Sequence, residues 1–271
     1  MPSDSTASVA ERESGSVAFR QLGGVFGAEV RGIDLSRPLG QSEVEAIRSG
    51  LDVYRVLVFR GQHDVAPRQL LDFAACFGEP ETAEHPHHPD FEGVPGVKVL
   101  INNAADFQDR AHDTWHTDGA TRDDTRYLTI LQAIDVPPCG RDTLFADMVT
   151  AYDRLSETMK AILDGLVGEN SWGMSKPGAP SVYHPIIFRD PRTGRKSIYA
   201  NKLYTRSIQG LRNDESDLLL KFLFEQARTP EFQLRVNWEP GTIAMWNNET
   251  TQHYLVFDTA YDRVMHRVMV A

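Results

Sequence analysis

Cysteine is scarce: Cys76 and Cys139 are the only two in 271 residues. Two scattered thiols build neither a disulfide framework nor a CxxC zinc site, and they suit a reducing compartment. Positive charge is short as well. Lys and Arg total 28 against 38 Asp and Glu, a formal net charge of −10. Gripping a phosphate backbone needs a basic face, so nucleic acid is disfavoured as a partner. Anionic membrane surfaces are disfavoured on the same ground. No apolar run approaches the roughly 20 residues of a membrane span. The opening MPSDSTASVAERESGS lacks the apolar centre of a secretion signal. Together these absences suit a cytoplasmic protein. Internal repeats, low-complexity blocks and obvious linkers are missing too. We read residues 1–17 as a disordered polar tail and 18–271 as one domain, a length that all-β domains reach.

What remains alternates between strands and helices. VAFRQLGG and VFGAEVRGIDL read as short β elements broken by glycines. Ser42 and Glu45 predict a capping box for a helix over 42–51. VLVFRG is a β-branched run, hence a buried strand. Residues 67–77 have helical spacing and end before Gly78, a predicted C-cap. EHPHHPDFEGVPG reads as loop. YLTILQAI reads as a strand, 147–166 as helical, and 213–227 as an amphipathic helix with acids in its first turn. FQLRVNW, TIAMWNN, HYLVFD and RVMHRVMV are four short strands in a row. Strands framing the chain, with helices inserted, predict a mainly β jelly roll or sandwich.

The chemistry turns on nine histidines. A histidine with an acid two positions on occurs at His88-Pro-Asp90 and His116-Thr-Asp118. Random placement already gives about one such pair at this acid content, so the spacing alone is weak evidence. Geometry separates the two. Positions i and i+2 of a strand share a face and can reach one ion. Pro89 argues against a strand in the first pair, whereas Thr117 suits one in the second. Two histidines and one carboxylate form the facial set that leaves open positions on Fe(II). His253, after the strand TIAMWNN, is the natural third ligand, with His184 and His266 as competitors. On spacing alone, ordinary core or surface histidines are the better reading for them. Arg263 and Arg267 share a face of a strand. Buried cations there are costly unless they meet anions, so they either fork onto a carboxylate or sulfonate or pair with the protein's own acids.

WHTDGA, GRDTLF, MWNNETTQHY and RVMHR, in that order and spacing, resemble the taurine dioxygenase/TfdA family. YHPIIFRDPRTGRKSIYAN and TPEFQLRVNWEPGTIAMW extend the likeness, which runs from about residue 18 to the C-terminus. The resemblance implies a double-stranded β-helix (a cupin-like jelly roll) and an Fe(II)- and 2-oxoglutarate-dependent dioxygenase using O₂. It implies His116, Asp118 and His253 as metal ligands that also form the catalytic centre, and Thr143 and Arg263 as the cosubstrate anchor. His85, Arg267, His112 and Tyr204 fall at substrate-contacting positions. Asp118 stands where halogenating relatives carry a small residue, so an oxygenase is implied. His112, Gly119, Tyr204 and a shortened segment before YHP depart from the taurine-specific pattern. The resemblance further implies assembly as a dimer or tetramer, although no interface is legible. Three readings follow. The first is oxidation of an aliphatic C–H in a small anionic compound, a sulfonate, sulfate ester or carboxylate, with release of succinate and CO₂. The second is tailoring of a larger amino-acid-derived or nucleoside intermediate. The third is a non-catalytic cupin-type metal-binding module.

Overall fold

A computed structural model describes residues 11–14, 17–83, 88–103, 115–124, 127–172 and 180–271. His85 and His112 lie outside these residues. The chain opens with β1 (Glu11–Ser14), β2 (Val17–Gln21), β3 (Ala28–Arg31), α1 (Gln41–Tyr54), β4 (Val56–Phe59) and α2 (Pro67–Ala75). β5 (Asp90–Phe91), β6 (Val94–Asn102), β7 (Leu128–Asp135) and β8 (Thr143–Asp147) follow. Next come α3 (Met148–Asp153), α4 (Glu157–Leu163), β9 (Val167–Asn170), β10 (Val182–Pro185), β11 (Ile187–Arg189), β12 (Lys196–Ile198), β13 (Thr205–Ile208) and α5 (Asn213–Gln226). β14 (Gln233–Val236), β15 (Ile243–Asn247), β16 (Thr251–Leu255) and β17 (Arg263–Val270) complete it. Four residues from the segment expected to be a disordered tail form β1, antiparallel to β2.

Two sheets dominate, as expected for a mainly β jelly roll. The larger runs β1-β2-β3-β4-β15-β7-β17-β6-β5, and the smaller runs β14-β8-β16. Strand alternation divides the larger sheet's side chains between two cores. Leu57, Phe59, Leu128, Ile130, Ile243, Met245, Val268 and Val270 face α1 and α2. Val56, Val58, Leu131, Ala133, Ala244, Trp246 and Met265 turn the other way, onto Phe145, Leu234, Val236 and Trp238 from the smaller sheet and its flank. This inner layer is where the site opens. A buried ion pair stitches the sheets: Arg55 Nη2 donates to Asp147 Oδ2 at 2.8 Å, and Asp147 Oδ1 caps α3 through the Val149 N–H at 3.0 Å.

Several local expectations are displaced. α1 starts at Gln41, so Ser42 sits inside its first turn; Glu43 Oε2 instead accepts from the Gly40 N–H at 2.8 Å. α2 stops at Ala75, and Cys76 follows as its C-cap. Gly78 serves packing instead: a Cβ there would lie 2.5 Å from the Ala271 carbonyl oxygen. The helical stretch over 147–166 is two helices, split where Ser156 caps the second through the Met159 N–H at 3.2 Å. β6 and β8 emerge from segments that carried no strand expectation.

Candidate metal centre and its flanking arginines

The site begins with a backbone pairing. The His116 N–H donates to the His253 carbonyl at 3.1 Å, and the His253 N–H returns to His116 at 2.7 Å. Residues directly opposed in an antiparallel pair present side chains on one face, and the two imidazole centroids lie 4.1 Å apart. Trp115 packs its ring against Tyr254 at 5.5 Å, which holds the pairing from the neighbouring positions. His116 is an isolated bridge rather than part of a longer strand, and the chain turns at Asp118. Gly119 takes φ 79°, a conformation that a Cβ disfavours. That turn swings the Asp118 carboxylate back toward the imidazoles.

Asp118 Oδ1 stands 4.0 Å from His116 Nε2 and 3.9 Å from His253 Nε2. These gaps are too long for hydrogen bonds. The three ligand atoms all lie within 4.8 Å of one another, so one ion can bridge them. The second carboxylate oxygen accepts from Thr129 Oγ1 at 2.9 Å. Thr129 in turn accepts from Asn248 Nδ2 at 2.8 Å, and Asn248 Oδ1 accepts from Trp246 Nε1 at 2.9 Å. Burial alone would push the Asp118 carboxyl up. The charges of His253, Arg267 and His116, with the Thr129 bond, outweigh it and bring the group down to about 2. Burial, followed by repulsion from His116, lowers His253 to about 3, with Arg267 and Arg263 adding to the effect. At neutral pH the cluster therefore offers an ionised carboxylate and a neutral imidazole, the donor forms a divalent metal requires.

Two cations of β17 flank the cluster. Arg267 Nη1 lies 3.9 Å from Asp118 Oδ1, and its buried Nε has no hydrogen-bond partner among the described residues. Arg263 is buried, with its guanidinium 5.3 Å above the Trp238 ring. The Trp238 Nε1–H donates to Thr143 Oγ1 at 3.0 Å. No carboxylate reaches ion-pair distance of Arg263 among the described residues, and its Nε is also unbonded. Burial, and next the charge of Arg141, push this guanidinium down to about 9. Trp238 thus touches both the buried Arg263 guanidinium and the Thr143 hydroxyl.

The structure brings His116, Asp118, His253, Arg267 and Tyr204 together. The Tyr204 ring lies 6.1 Å from His116 and 5.2 Å from Trp172, and burial pushes its phenol up. Neither competing histidine joins them. His184 packs on Tyr199 at 5.3 Å, and His266 turns to the opposite face of β17 against Phe91 at 5.2 Å. Asp90 of the other histidine–acid pair is engaged by Lys98 Nζ at 2.7 Å. Sequence reasoning missed Thr129, Asn248 and Trp238. Only WNN hinted at one of them, because their partners lie far away in the chain.

Residues 18–269 match the family model described as taurine catabolism dioxygenase TauD, TfdA family. An alkylsulfatase of Acinetobacter baylyi is 32% identical, covering 93% of this chain and 84% of its own. A pentalenolactone F synthase of Streptomyces avermitilis is 32% identical, covering 91% of each. The crystal structure of a taurine dioxygenase from Burkholderia xenovorans superposes with a TM-score of 0.86 at 34% identity, covering 94% of this chain and 89% of that one. Further relatives are named as alpha-ketoglutarate-dependent dioxygenases. This likeness sets aside the non-catalytic module. The chain belongs to the TauD/TfdA family and is an Fe(II)- and 2-oxoglutarate-dependent dioxygenase.

Proposed function

We propose that His116, Asp118 and His253 hold the Fe(II), and that Thr143 and Arg263 take the distal carboxylate of 2-oxoglutarate. The substrate is a small anionic compound such as a sulfonate, sulfate ester or carboxylate, facing Arg267 and Tyr204. His85 and His112, assigned to the same pocket by resemblance, lie outside the described residues. The observation that carries this reading is the pair of arginines on one face of β17, Arg263 buried and Arg267 partly buried with its Nη1 3.9 Å from Asp118 Oδ1, both close enough to depress His253. A cation-lined face beside a metal cluster favours anionic ligands.

When bound, the metal and cosubstrate supply oxygen activation: one atom of O₂ goes to succinate as CO₂ leaves, and the other goes into the substrate C–H bond. The chain's own residues position and exclude water. Arg263 and Thr143 fix one end of the cosubstrate. Thr129 orients Asp118, and Tyr204 stays a neutral phenol beside His116.

A second reading has one observation behind it. Ala120, Tyr199 and Tyr204, with Trp172, Phe188 and Leu203, form an apolar cluster beside His116, which would suit a larger tailored intermediate. A panel of alkyl sulfates, alkylsulfonates, aryloxy acids and uncharged bulky compounds, scored by succinate formed, separates the two. The anionic reading expects turnover only with the charged compounds, reduced about tenfold or more in Arg267→Gln. Turnover of uncharged compounds, untouched by that substitution, would move the assignment to the tailoring role.

A further inference from the structure

Trp246 is a buried indole of β15 that reaches two of the three candidate ligands by different means. Its ring lies 5.1 Å from the His253 imidazole. It also lies 5.1 Å from Phe145, the residue paired with His253 across β16 and β8. The buried His253 Nδ1 has no hydrogen-bond partner among the described residues. A metal-bound imidazole usually donates its second N–H to a carboxylate, carbonyl or water, and that bond fixes the ring. At His253 the aromatic walls hold the ring instead.

The nitrogen of the indole works through hydrogen bonds. Trp246 pairs with Thr129 across β15 and β7, so both side chains share one face of the sheet. The Asn248 amide joins them: Trp246 Nε1 donates to its Oδ1 at 2.9 Å, and its Nδ2 donates to Thr129 Oγ1 at 2.8 Å. An indole N–H can only donate, whereas an amide carries an acceptor at one end and donors at the other. Trp246 therefore selects which end of Asn248 turns toward it and which is left for Thr129. Thr129 accepts there, so its one proton goes to Asp118 Oδ2, at 2.9 Å. Oδ1, 4.0 and 3.9 Å from the two imidazole Nε2 atoms, is left for the metal. The Asn248 carbonyl also accepts from Thr117 Oγ1, between the first two ligands. We infer that Trp246 is a positioning residue for the metal centre: its N–H sets the direction of the Asn248–Thr129 chain and so the aim of Asp118, while its ring holds His253. The inference rests on reading His116, Asp118 and His253 as the metal ligands. It adds that one side chain couples two of them.

Competition with a chromogenic chelator tests this by measuring Mn(II) affinity in the wild type, Trp246→Phe, Thr129→Val and the double variant. Trp246→Phe keeps a ring against His253 and removes the N–H. It should bind Mn(II) about tenfold more weakly, the low end of what ligand-orienting groups contribute. The double variant should bind no more weakly than Thr129→Val alone, because both substitutions cut one chain. An indole that served packing only would lower the melting temperature of the metal-free protein without producing that non-additivity in metal affinity. Losses that multiply in the double variant would overturn the inference, as would wild-type affinity in folded Trp246→Phe, whatever Thr129→Val shows. Wild-type affinity in His253→Ala would instead bring down the metal-centre reading itself. If Trp246→Phe does not fold, 3-benzothienylalanine at position 246 replaces it under the same outcomes, since it has the shape of the indole with sulfur in place of the N–H.

Discussion

His116 and His253 face each other across a two-residue bridge closed by backbone hydrogen bonds of 3.1 and 2.7 Å. The two donors are therefore set by strand pairing rather than by side-chain choice, and the cluster exists only when segments distant in the chain are joined. A metal that binds this cluster binds the folded state alone and stabilises it by mass action. Fe(II) or Mn(II) at 100 times its dissociation constant should add about 2.7 kcal/mol to unfolding, and chelation should reverse the gain. His253→Ala should show no metal-dependent shift in a melting experiment. A shift of wild-type size in that variant would refute the cluster as the metal site.

Thr129 holds one oxygen of Asp118 at 2.9 Å and is itself held by Asn248. Groups that orient a metal ligand commonly contribute about 10–100-fold in affinity. Thr129→Val keeps the shape and β-branching of the side chain, so the strand should survive. We expect metal affinity to fall within that range with little change in the melting temperature of the metal-free protein. Unaltered metal affinity, measured by competition with a chromogenic chelator, would show that Asp118 needs no such support.

The pair Arg55–Asp147 is buried, at 2.8 Å, and joins the two sheets. Removing one partner of a buried pair leaves the other charge uncompensated and costs about 3–5 kcal/mol. Arg55→Met should therefore lower the melting temperature by on the order of 10 °C, far more than Arg68→Ala, whose exposed i,i+4 pair with Asp72 is worth little. Equal small effects from both would mean that the buried pair is not a junction.

Acid should weaken the metal-free protein earlier than a typical carboxylate transition does. His253 is lowered from 6.5 to about 3, chiefly by burial. The unfolded chain takes up this proton as pH falls through 6.5, while the folded chain refuses it until about 3. Stability is thus complete above pH 6.5 and is lost progressively toward pH 3. Asp118, lowered to about 2, has the same sign and adds its loss below about pH 4. Urea midpoints of the metal-free protein should fall steadily from pH 7 to pH 4. His253→Gln, which does not titrate, should flatten the upper part of that slope; an unchanged slope would contradict the assignment.

Much of this was legible in the chain because burial writes itself as alternation. TIAMWNN and RVMHRVMV show which residues face which core, and Arg263 and Arg267 fall on one side of β17 by parity alone. β6 was hidden by Pro95 and Gly96 within its own span. β8 was hidden by its polar approach, and the break between α3 and α4 by a serine that caps rather than interrupts. At the site, the ligand trio could be named from motif order, but its geometry arises from a bridge and a turn at Gly119 rather than from a continuous strand. Thr129 was illegible as a site residue. Its meaning lies in Asp118 and Asn248, partners supplied by other segments, and no local pattern encodes that.

The most direct test of the account is a visible spectrum under strict exclusion of oxygen, with Fe(II) and then 2-oxoglutarate added to the metal-free protein. A chelated 2-oxo acid on ferrous iron gives a charge-transfer band that neither addition produces alone. The account predicts that band in the wild type and its loss in His116→Ala, with the fold of the variant verified by circular dichroism. No band in the wild type, or an undiminished band in the folded variant, would contradict the assignment of His116, Asp118 and His253 as the metal centre.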